Sequence, residues 1–352
     1  MTKRLFKQVV GIDVAQKKLD VSLGNMDQNT STKVYAYKTF QNTDKGFLAM
    51  ILWVKKQTTA EAPLRFVMEA TGVYHESLAY FLSNKGFLVS IVMPNKITNF
   101  FRTLEVKTIT DKSMSEAITM FGLEKQMKDW VPPKKVFREL RSITRERDQL
   151  ITERTMLKNQ LHAEETEAFP SKKTVIRIKS RIKVINEQLK EILSEIKESV
   201  EKDALLKQAI ELITTIPGIG LLTAVVVMAE TNGFELITSI RQLISYAGLD
   251  VREKESGTSV KGKSRISKRG NRHLRKAMHL PAISAIRHSE RHKAIFLRIV
   301  SGCGIKMKGV VAIQRKLLEL IYTIFKTKKP YDPEYLQKLA TGNTVKNTSN
   351  VA

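Results

Sequence analysis

Three carboxylic acids lie where short apolar runs predict the ends or flanks of β-strands. Asp13 falls inside a β-branched run, Glu69 ends another, and Asp111 follows the fifth predicted strand on a predicted helix. Carboxylates that converge from neighbouring elements bind hard divalent cations, which align water or phosphate for phosphoryl transfer. Asp20 is an alternative to Asp13. Taken singly, such acids are more often solvated turn residues.

A serine beside a glycine, Ser256-Gly257, begins a strongly basic stretch. A flexible hydroxyl among cations can act as a nucleophile at phosphorus, because the cations stabilise an alkoxide and a phosphorane-like transition state. From the residues alone, an ordinary loop that clamps phosphate is the more frequent case, and no His or Asp base is adjacent. The candidate phosphate-binding residues of this stretch are Lys261, Lys263, Arg265, Lys268, Arg269 and Arg272.

A glycine-rich turn at residues 216–220, with the sequence Ile-Pro-Gly-Ile-Gly, separates two apolar helical stretches. Its spacing resembles a helix-hairpin-helix turn, in which Gly218 and Gly220 would let backbone N–H groups approach a phosphate without reading bases. A tight interhelical turn packed inside a domain has the same spacing, so both interpretations stay open.

Two further patterns are weaker. His288 and His292 share a helix face and could ligate zinc, but no third ligand is apparent and a solvated face is the expectation. The single cysteine, Cys303, excludes an internal disulfide and a Cys-cluster metal site. No G-x-x-x-x-G-K-[ST] motif is present, so a P-loop ATPase is not supported.

The secondary structure that the sequence predicts around these residues changes near residue 130, from strands and helices to helices. Five runs before it predict a meander of three strands followed by strands that alternate with helices, which is a mixed α/β sheet covered by helices. After Pro132 and Pro133 the predicted strands stop and long polar helices begin. The pattern predicts a loop at residues 257–272 and helices at residues 274–286 and 310–325.

Between residues 131 and 204 two helical stretches are separated by Pro170. The second has apolar residues at alternating spacings of four and three, which is a heptad seam and predicts helix pairing. The helices could fold back as a hairpin or pair between subunits. The seam residues are Ile178, Ile182, Ile185, Leu189, Ile192 and Ile196.

The charge of the chain indicates a polyanionic partner. Its 352 residues carry a formal net charge of +25, which exceeds what solubility needs, and the length predicts two or three domains. A basic protein that binds nothing specific has the same composition. No apolar run reaches the ~18 residues of a membrane span, and the N-terminus lacks a signal-peptide core, so we expect a cytoplasmic protein without membrane contact.

Several motifs occur in an order and spacing that together are specific. They are Gly-Ile-Asp13-Val, Met-Glu69-Ala-Thr-Gly-Val-Tyr74, Thr110-Asp111-Lys112, the turn at 216–220, Tyr246-Ala-Gly-Leu, Glu255-Ser256-Gly257, Ile266-Ser-Lys-Arg-Gly-Asn-Arg272 and Lys329-Pro-Tyr-Asp332. From about residue 9 to residue 335 the chain resembles the transposases of the insertion sequence 110 family, relatives of the Piv pilin-gene invertases.

The resemblance implies a domain order. It implies a RuvC-like, RNase H-type catalytic domain with a DEDD acid set at residues 1–130, a coiled-coil linker at 131–204, a mostly helical transposase domain with a catalytic serine at 205–335, and a polar tail at 336–352. Asp13, Glu69 and Asp111 match the first three acids, and Ser256 matches the nucleophile.

The resemblance also implies cofactors and partners. The three acids would hold Mg²⁺, and the serine would attack a DNA phosphodiester to give a covalent phosphoserine link. Partners would be donor and target DNA, a noncoding guide RNA encoded by the element, and further copies of the chain in a homodimer or tetramer. The location would be the nucleoid of a prokaryotic cytoplasm.

One position departs from the family pattern. The fourth acid, expected three residues after Asp111, is replaced by Met114, and methionine is a poor ligand for a hard cation. Glu116 lies about 200° further round the helix, and Ser113 or Ser115 could at best orient a water. Impaired catalysis is therefore an expectation. Two alternatives remain, a RuvC-like structure-selective nuclease that uses water and a decayed transposase that binds nucleic acid without cleaving it.

Overall fold

The chain forms two compact units, Met1–Pro132 and Pro133–Ala352. The structure, a computed structural model, describes residues 5–70, 72–106, 108–235, 237–253, 255–256, 260–262 and 264–334, and of residues 255, 256, 260 and 261 it describes the backbone only. Lys263 and the predicted tail at 336–352 lie outside the described residues. Within the described part of the chain, no helix is long and apolar enough to cross a membrane.

The first unit is built on a five-stranded mixed sheet. Its strands are β1 (Leu5–Val14), β2 (Lys18–Asp27), β3 (Thr32–Gln41), β4 (Leu64–Glu69) and β5 (Leu88–Val92). In the order β3-β2-β1-β4-β5, the first three strands are antiparallel, and β4 and β5 run parallel to β1. Its helices are α1 (Asp44–Gln57), α2 (Glu76–Asn84), α3 (Pro94–Phe101) and α4 (Asp111–Glu124). The predicted mixed α/β sheet is confirmed.

Strand β1 is central, and helices cover both of its faces. Val10 and Ile12 belong to the apolar cluster that includes Phe47 of α1, whereas Val9 belongs to the cluster that includes Ile118 of α4. A strand buried on both faces needs a nearly continuous apolar run, which is the pattern that predicted it.

Two glycines let α4 lie directly on this strand. A Cβ atom at Gly11 would lie 2.6 Å from the carbonyl oxygen of Ser115, and one at Gly122 would lie 2.7 Å from Cγ1 of Val9. Helix α4 therefore runs antiparallel to β1. Its first residue, Asp111, is consequently held near the carboxyl end of β1.

The second unit begins with a helical hairpin of α5 (Lys135–Thr166) and α6 (Lys172–Glu201). The helices are antiparallel, since Lys179 Nζ lies 2.8 Å from Glu165 Oε1 and Arg154 donates to Asn186 Oδ1 over 3.0 Å. The heptad seam of α6 is paired within one chain. Its contacts toward the connecting turn form a small apolar cluster of Leu157, Ile178 and Ile185.

The base of the hairpin joins a helical core. The other helices are α7 (Ala204–Thr214), α8 (Leu221–Glu230), α9 (Ile240–Ala247), α10 (Arg272–Ala277), α11 (His279–His288), α12 (Glu290–Cys303) and α13 (Lys306–Thr327). Their apolar faces share one cluster with Leu140 of α5 and Ile196 of α6, both fully buried. The hairpin is thus anchored in this unit by its own apolar residues.

We expected no strands after residue 133 and a loop at residues 257–272. Short strands in this region show that the expectation is wrong in part. Four two-residue strands occur, namely β6 (Val251–Arg252), β7 (Glu255–Ser256), β8 (Val260–Lys261) and β9 (Arg265–Ile266). β6 pairs with β9 and β7 pairs with β8, both antiparallel. A strand of two residues is too short to show a period in the sequence.

The helix predicted at 274–286 is broken into α10 and α11 at Met278. Pro281 lies at the start of α11, where its missing N–H cannot donate to the carbonyl of Ala277. His292 is 1% exposed and its Nδ1 lies 2.9 Å from Ser289 Oγ. The expectation of a solvated histidine face is therefore wrong for His292.

Candidate active site

Four carboxylates lie together at the edge of the sheet where strands β1 and β4 end, which we call the acidic edge. The carboxyl ends of the parallel strands β1 and β4 meet there with the amino end of the antiparallel strand β2. Asp13 of β1 is paired in register with Asp20 of β2, Glu69 is the last residue of β4, and α4 begins at Asp111. The three predicted acids thus reach one edge, and Asp20 joins them as a neighbour of Asp13.

The electrostatics of Asp13 reflect this crowding. Burial and then the negative charges of Glu69, Asp111 and Asp20 raise the pKa of Asp13 to about 6, and Lys18 opposes the shift. The negative charges that contribute to this shift also favour a cation beside Asp13.

Lys18 brings a positive charge to the same edge. It lies two residues before Asp20, so both side chains point to one face of β2. Its ammonium is 3.2 Å from Oδ2 of Asp20 and also contacts Oδ2 of Asp111. The hydrogen bond to Asp111, followed by that to Asp20, raises the pKa of Lys18, so the ammonium stays charged.

Asp20 is a buried and oriented carboxylate. It is 2% exposed, and its Oδ1 accepts hydrogen bonds from the hydroxyl groups of Tyr37 at 2.5 Å and Thr39 at 3.0 Å, both on β3. Its other oxygen faces Lys18. A signal for this arrangement was present in the sequence as the spacing of Lys18 and Asp20 on one strand face.

The first turn of α4, which begins at Asp111, is fixed by a capping box. Ser113 N–H donates to Thr110 Oγ1 over 3.1 Å, and Thr110 N–H donates to Ser113 Oγ over 2.8 Å. Ser115 Oγ lies 2.7 Å from Ser22 Oγ in the interior. Both serines that we considered as water ligands therefore have structural partners.

Met114, at the position of the family's fourth acid, belongs to the apolar packing of the first unit. Its side chain is partly buried and packs against the apolar cluster between α4 and the sheet. Glu116 Oε1 lies 3.9 Å from Lys112 Nζ on the same helix. The fourth carboxylate of this edge is thus supplied by β2 and not by α4.

The donor set fits a hard divalent cation. Mg²⁺ in proteins is usually held by one or two carboxylates, completed by waters and substrate phosphates. Among the described residues, no group of three His, Cys, Asp or Glu side chains is placed to hold a metal ion by itself. Mg²⁺ binding at this edge accordingly stays a prediction, in which water and phosphate would complete the ligand shell.

In the second unit, the glycine turn precedes α8. Gly218 has a φ of +87°, and a Cβ atom there would lie 2.7 Å from the carbonyl oxygen of Pro281 on α11. A Cβ atom at Gly220 would have no neighbour within 4 Å. Gly218 is therefore needed for packing against α11, whereas Gly220, the N-cap of α8, lies on the open side of the turn.

The described part of the basic segment is exposed. Arg265, Lys268, Arg269 and Arg272 are all exposed to solvent. Of Lys261 only the backbone is described, and Lys263 lies outside the described residues. The four described cations can reach a phosphate backbone without loss of packing.

Ser256 lies on β7, where its backbone is paired with Val260 of β8. Its side chain lies outside the described residues. The assignment of Ser256 as a nucleophile accordingly stays a prediction.

A buried ion pair near this segment was missed from the sequence. Glu230 at the end of α8 is 2% exposed and accepts from Arg145 Nε at 2.8 Å and Nη2 at 2.9 Å. It also accepts from Asn271 Nδ2 at 2.6 Å, and Asn271 caps α10. The sequence did contain a signal for it, because Glu230 directly follows the almost wholly apolar run 221–229.

Family models match both units. A DEDD transposase model of the IS110 type matches residues 10–170, which include the three predicted acids. A second model, described as Transposase IS116/IS110/IS902 family, matches residues 210–296, which include Ser256 and the basic segment. The chain belongs to the IS110 family of transposases. It is a DNA recombination enzyme of an insertion element.

Two curated relatives of this transposase match along most of its length. The pilin gene-inverting protein of Moraxella lacunata is 28% identical over 332 residues, which cover 93% of this chain and 98% of the relative. That of Moraxella bovis is 27% identical over 329 residues, with 93% and 98% covered. A 43.6 kDa protein of insertion element IS110 from Streptomyces coelicolor is 25% identical over 114 residues, which cover 32% of this chain and 28% of the relative.

Solved structures of RuvC from Thermus thermophilus also match this transposase. One is 11% identical with a TM-score of 0.28 and covers 35% of this chain and 99% of its own. RuvC in complex with a Holliday junction substrate is 10% identical with a TM-score of 0.27 and the same coverage.

Proposed function

We propose that this transposase inserts and excises its element through a covalent link between Ser256 and DNA. The observation that carries the proposal is the convergence of Asp13, Glu69 and Asp111 at one edge of the sheet, where Asp13 is crowded by negative charge. Such a site attracts the divalent cation that phosphoryl transfer needs. The family match over both units supports assigning the acids and the serine to one reaction.

The proposed chemistry is a transesterification. The Oγ atom of Ser256 forms a bond to phosphorus and loses its proton to solvent or a neighbouring base. The bond from phosphorus to one deoxyribose oxygen breaks, and that oxygen leaves with the electron pair and takes up a proton. Because one ester replaces another, a hydroxyl of a second strand can later attack the phosphoserine, rejoin the DNA and release the serine.

Separate residues of the chain serve this reaction. Asp13, Glu69 and Asp111 would hold Mg²⁺, which stabilises negative charge on the phosphoryl oxygens when bound. Arg265, Lys268, Arg269 and Arg272 would neutralise backbone phosphates, as exposed cations do in most protein–DNA contacts. Gly220, at the open N-terminus of α8, would leave backbone N–H groups for a further phosphate.

The nucleophile is tested by the covalent adduct. Ser256→Ala should abolish the adduct seen after denaturing electrophoresis with labelled element-end DNA, while DNA binding is retained. Ser264→Ala, an exposed serine of the same basic segment, is the matched control and should form the adduct normally. An adduct that persists in Ser256→Ala would refute the serine assignment.

Two other functions predict different products. A structure-selective nuclease that uses water would yield free DNA ends, no adduct, and no effect of Ser256→Ala. A decayed transposase would bind nucleic acid without cleavage, and Met114→Asp would then restore cleavage. Met114 is the observation that favours this second candidate, because it packs into an apolar cluster at the position of the family's fourth acid.

We include donor DNA, target DNA and a guide RNA among the proposed partners. A net charge of +25 suits binding of several polyanions at once. The protein, expressed with the element's flanking DNA and purified at high salt, should retain one discrete RNA that maps to those flanks. Only random RNA, or none, would indicate a recombinase that recognises DNA by protein contacts alone.

A homodimer or tetramer is the proposed assembly, because recombination exchanges several strands and requires several nucleophiles. Light scattering of the protein bound to element DNA should give at least two chains per complex. A strictly single chain in active complexes would overturn this part of the proposal.

A further inference from the structure

The acidic edge of the sheet already contains a cation that belongs to the chain. The ammonium of Lys18 lies 3.2 Å from Oδ2 of Asp20 and contacts Oδ2 of Asp111. It thus bridges two carboxylates that come from different elements, β2 and α4. A divalent cation shared by two carboxylates would occupy the same kind of position.

Of the two carboxylates that hold Lys18, Asp20 is oriented by hydrogen bonds and Asp111 is placed by the helix that it begins. Tyr37 and Thr39 donate to Oδ1 of Asp20, so its Oδ2 is left to face the ammonium. The capping box of Thr110 and Ser113 fixes the first turn of α4 and with it Asp111. The Asp20 end of the bridge is therefore fixed by hydrogen bonds, whereas the exposed Asp111 carboxylate is positioned through the first turn of its helix.

The residue at the position of the family's fourth acid also favours Lys18 as a cation of this site. Met114 packs against the apolar cluster between α4 and the sheet. Asp111 is therefore the one carboxylate that α4 contributes to the acidic edge. A pair of divalent ions would need that missing ligand and would lie close to the ammonium of Lys18. Positive charges at such short range repel one another even at this half-exposed site, where the side chains of Lys18 and Asp111 are 46% and 58% exposed.

We propose that Lys18 is a tethered cation that takes the place of one divalent ion, so that this chain binds a single divalent cation through Asp13, Glu69 and the other carboxylate oxygen of Asp111. The inference rests on the proposed function, since it presupposes that the acids bind metal. Lys18 would then position Asp111 and Asp20 and supply the second positive charge beside the DNA phosphate. In this role Asp20 replaces, from β2, the carboxylate that α4 lacks.

The number of bound ions tests the proposal directly. Mn²⁺ is titrated into the full-length protein, and the free ion is measured by electron paramagnetic resonance. The number of Mn²⁺ sites that depend on Asp13 is the number bound by a protein with Asp13 minus the number bound by the same protein with Asp13→Asn. We expect one such site per chain in the wild type and in Lys18→Arg. In Lys18→Met we expect a second site, or roughly five- to tenfold tighter binding at the first one, because a competing charge has been removed.

Lys17→Met is the matched control, because it removes the same charge from the neighbouring exposed residue. It should bind Mn²⁺ as the wild type does. Thermal unfolding gives a second measurement: Mg²⁺ should raise the Tm of Lys18→Met more than that of Lys17→Met, since the unbalanced carboxylates then gain a counter-ion.

Two results would overturn the proposal about Lys18 and leave the metal site intact. The first is that the wild type binds two Mn²⁺ ions in an Asp13-dependent way. The second is that Lys18→Met behaves like Lys17→Met in both the Mn²⁺ titration and the thermal unfolding. Absence of any Asp13-dependent Mn²⁺ binding would instead refute the metal part of the proposed function, and with it this inference.

Discussion

Two carboxyl groups of this transposase lie in opposite electrostatic environments. At the sheet edge, burial and then the negative charges of neighbouring carboxylates raise the pKa of Asp13 to about 6. In the second unit, burial by itself would raise the pKa of Glu230, but hydrogen bonds from Arg145 and Asn271 outweigh it and hold the pKa below its ordinary value. The first arrangement is suited to binding a cation, and the second to joining elements of the fold.

Glu230→Gln should lower the free energy of unfolding at neutral pH by about 2 kcal/mol, because it removes a charge-assisted pair whose Arg145 side is partly exposed. The native pKa of Glu230 is depressed, so its contribution is present above the unfolded value of about 4.3 and is lost as pH falls through the native value. Urea denaturation as a function of pH should therefore show the wild type and the variant converging below about pH 4.

Glu253→Gln is the control for this measurement, because Glu253 is exposed. It should change the free energy of unfolding by less than about 0.5 kcal/mol at every pH. A constant difference between Glu230→Gln and the wild type down to pH 3 would contradict the ionic explanation.

At the scale of elements, the distance between α4 and β1 decides whether the acids meet. Gly11 sits where the backbone of α4 comes close, and a Cβ atom there would lie 2.6 Å from the carbonyl oxygen of Ser115. The obstacle is backbone, which cannot rotate away as a side chain can. Helix α4, which begins at Asp111, would have to shift as a unit.

Gly11→Ala should therefore destabilise the protein by about 3 kcal/mol and move Asp111 away from Asp13. Thermal unfolding and Asp13-dependent Mn²⁺ binding should both be affected. Gly302→Ala in α12 is the control, since a Cβ atom there meets nothing within 4 Å, and it should be neutral or stabilise by up to about 1 kcal/mol. Wild-type stability of Gly11→Ala would show that α4 does not rest on this contact.

At the scale of the whole molecule, the net charge of +25 governs how the chain meets nucleic acid. Each phosphate that a cation neutralises releases counter-ions, so affinity falls with salt in proportion to the number of such contacts. The exposed basic segment is the part of the second unit where we expect these contacts to concentrate.

Replacing Arg265, Lys268, Arg269 and Arg272 together by Gln should reduce the salt slope of DNA binding, measured as log Kobs against log salt, by about 3 to 4. The control replaces four exposed lysines of α6 by Gln. They are Lys172, Lys173, Lys183 and Lys190. The charge change is the same, so equal slopes for the two variants would mean that the basic segment has no special part in phosphate binding.

The mixed sheet of the first unit was predictable because its signal is local and long. Strands of five to ten residues carry apolar runs, and the helices between them carry periodic apolar faces. The strands β6 to β9 escaped prediction because two residues carry no period. Glu230 escaped because its partners lie 85 and 41 positions away in the sequence.

The amino-acid sequence by itself determined the fold class of the first unit, the family and the candidate acids, since each depends on residue types at short spacings. Only the tertiary structure decided that α5 and α6 pair within one chain, that Met114 faces an apolar cluster, and that Asp20 and Lys18 join the acidic edge. These outcomes depend on strand register and on how closely α4 lies on β1. Contacts between distant segments set both, and no local pattern encodes them.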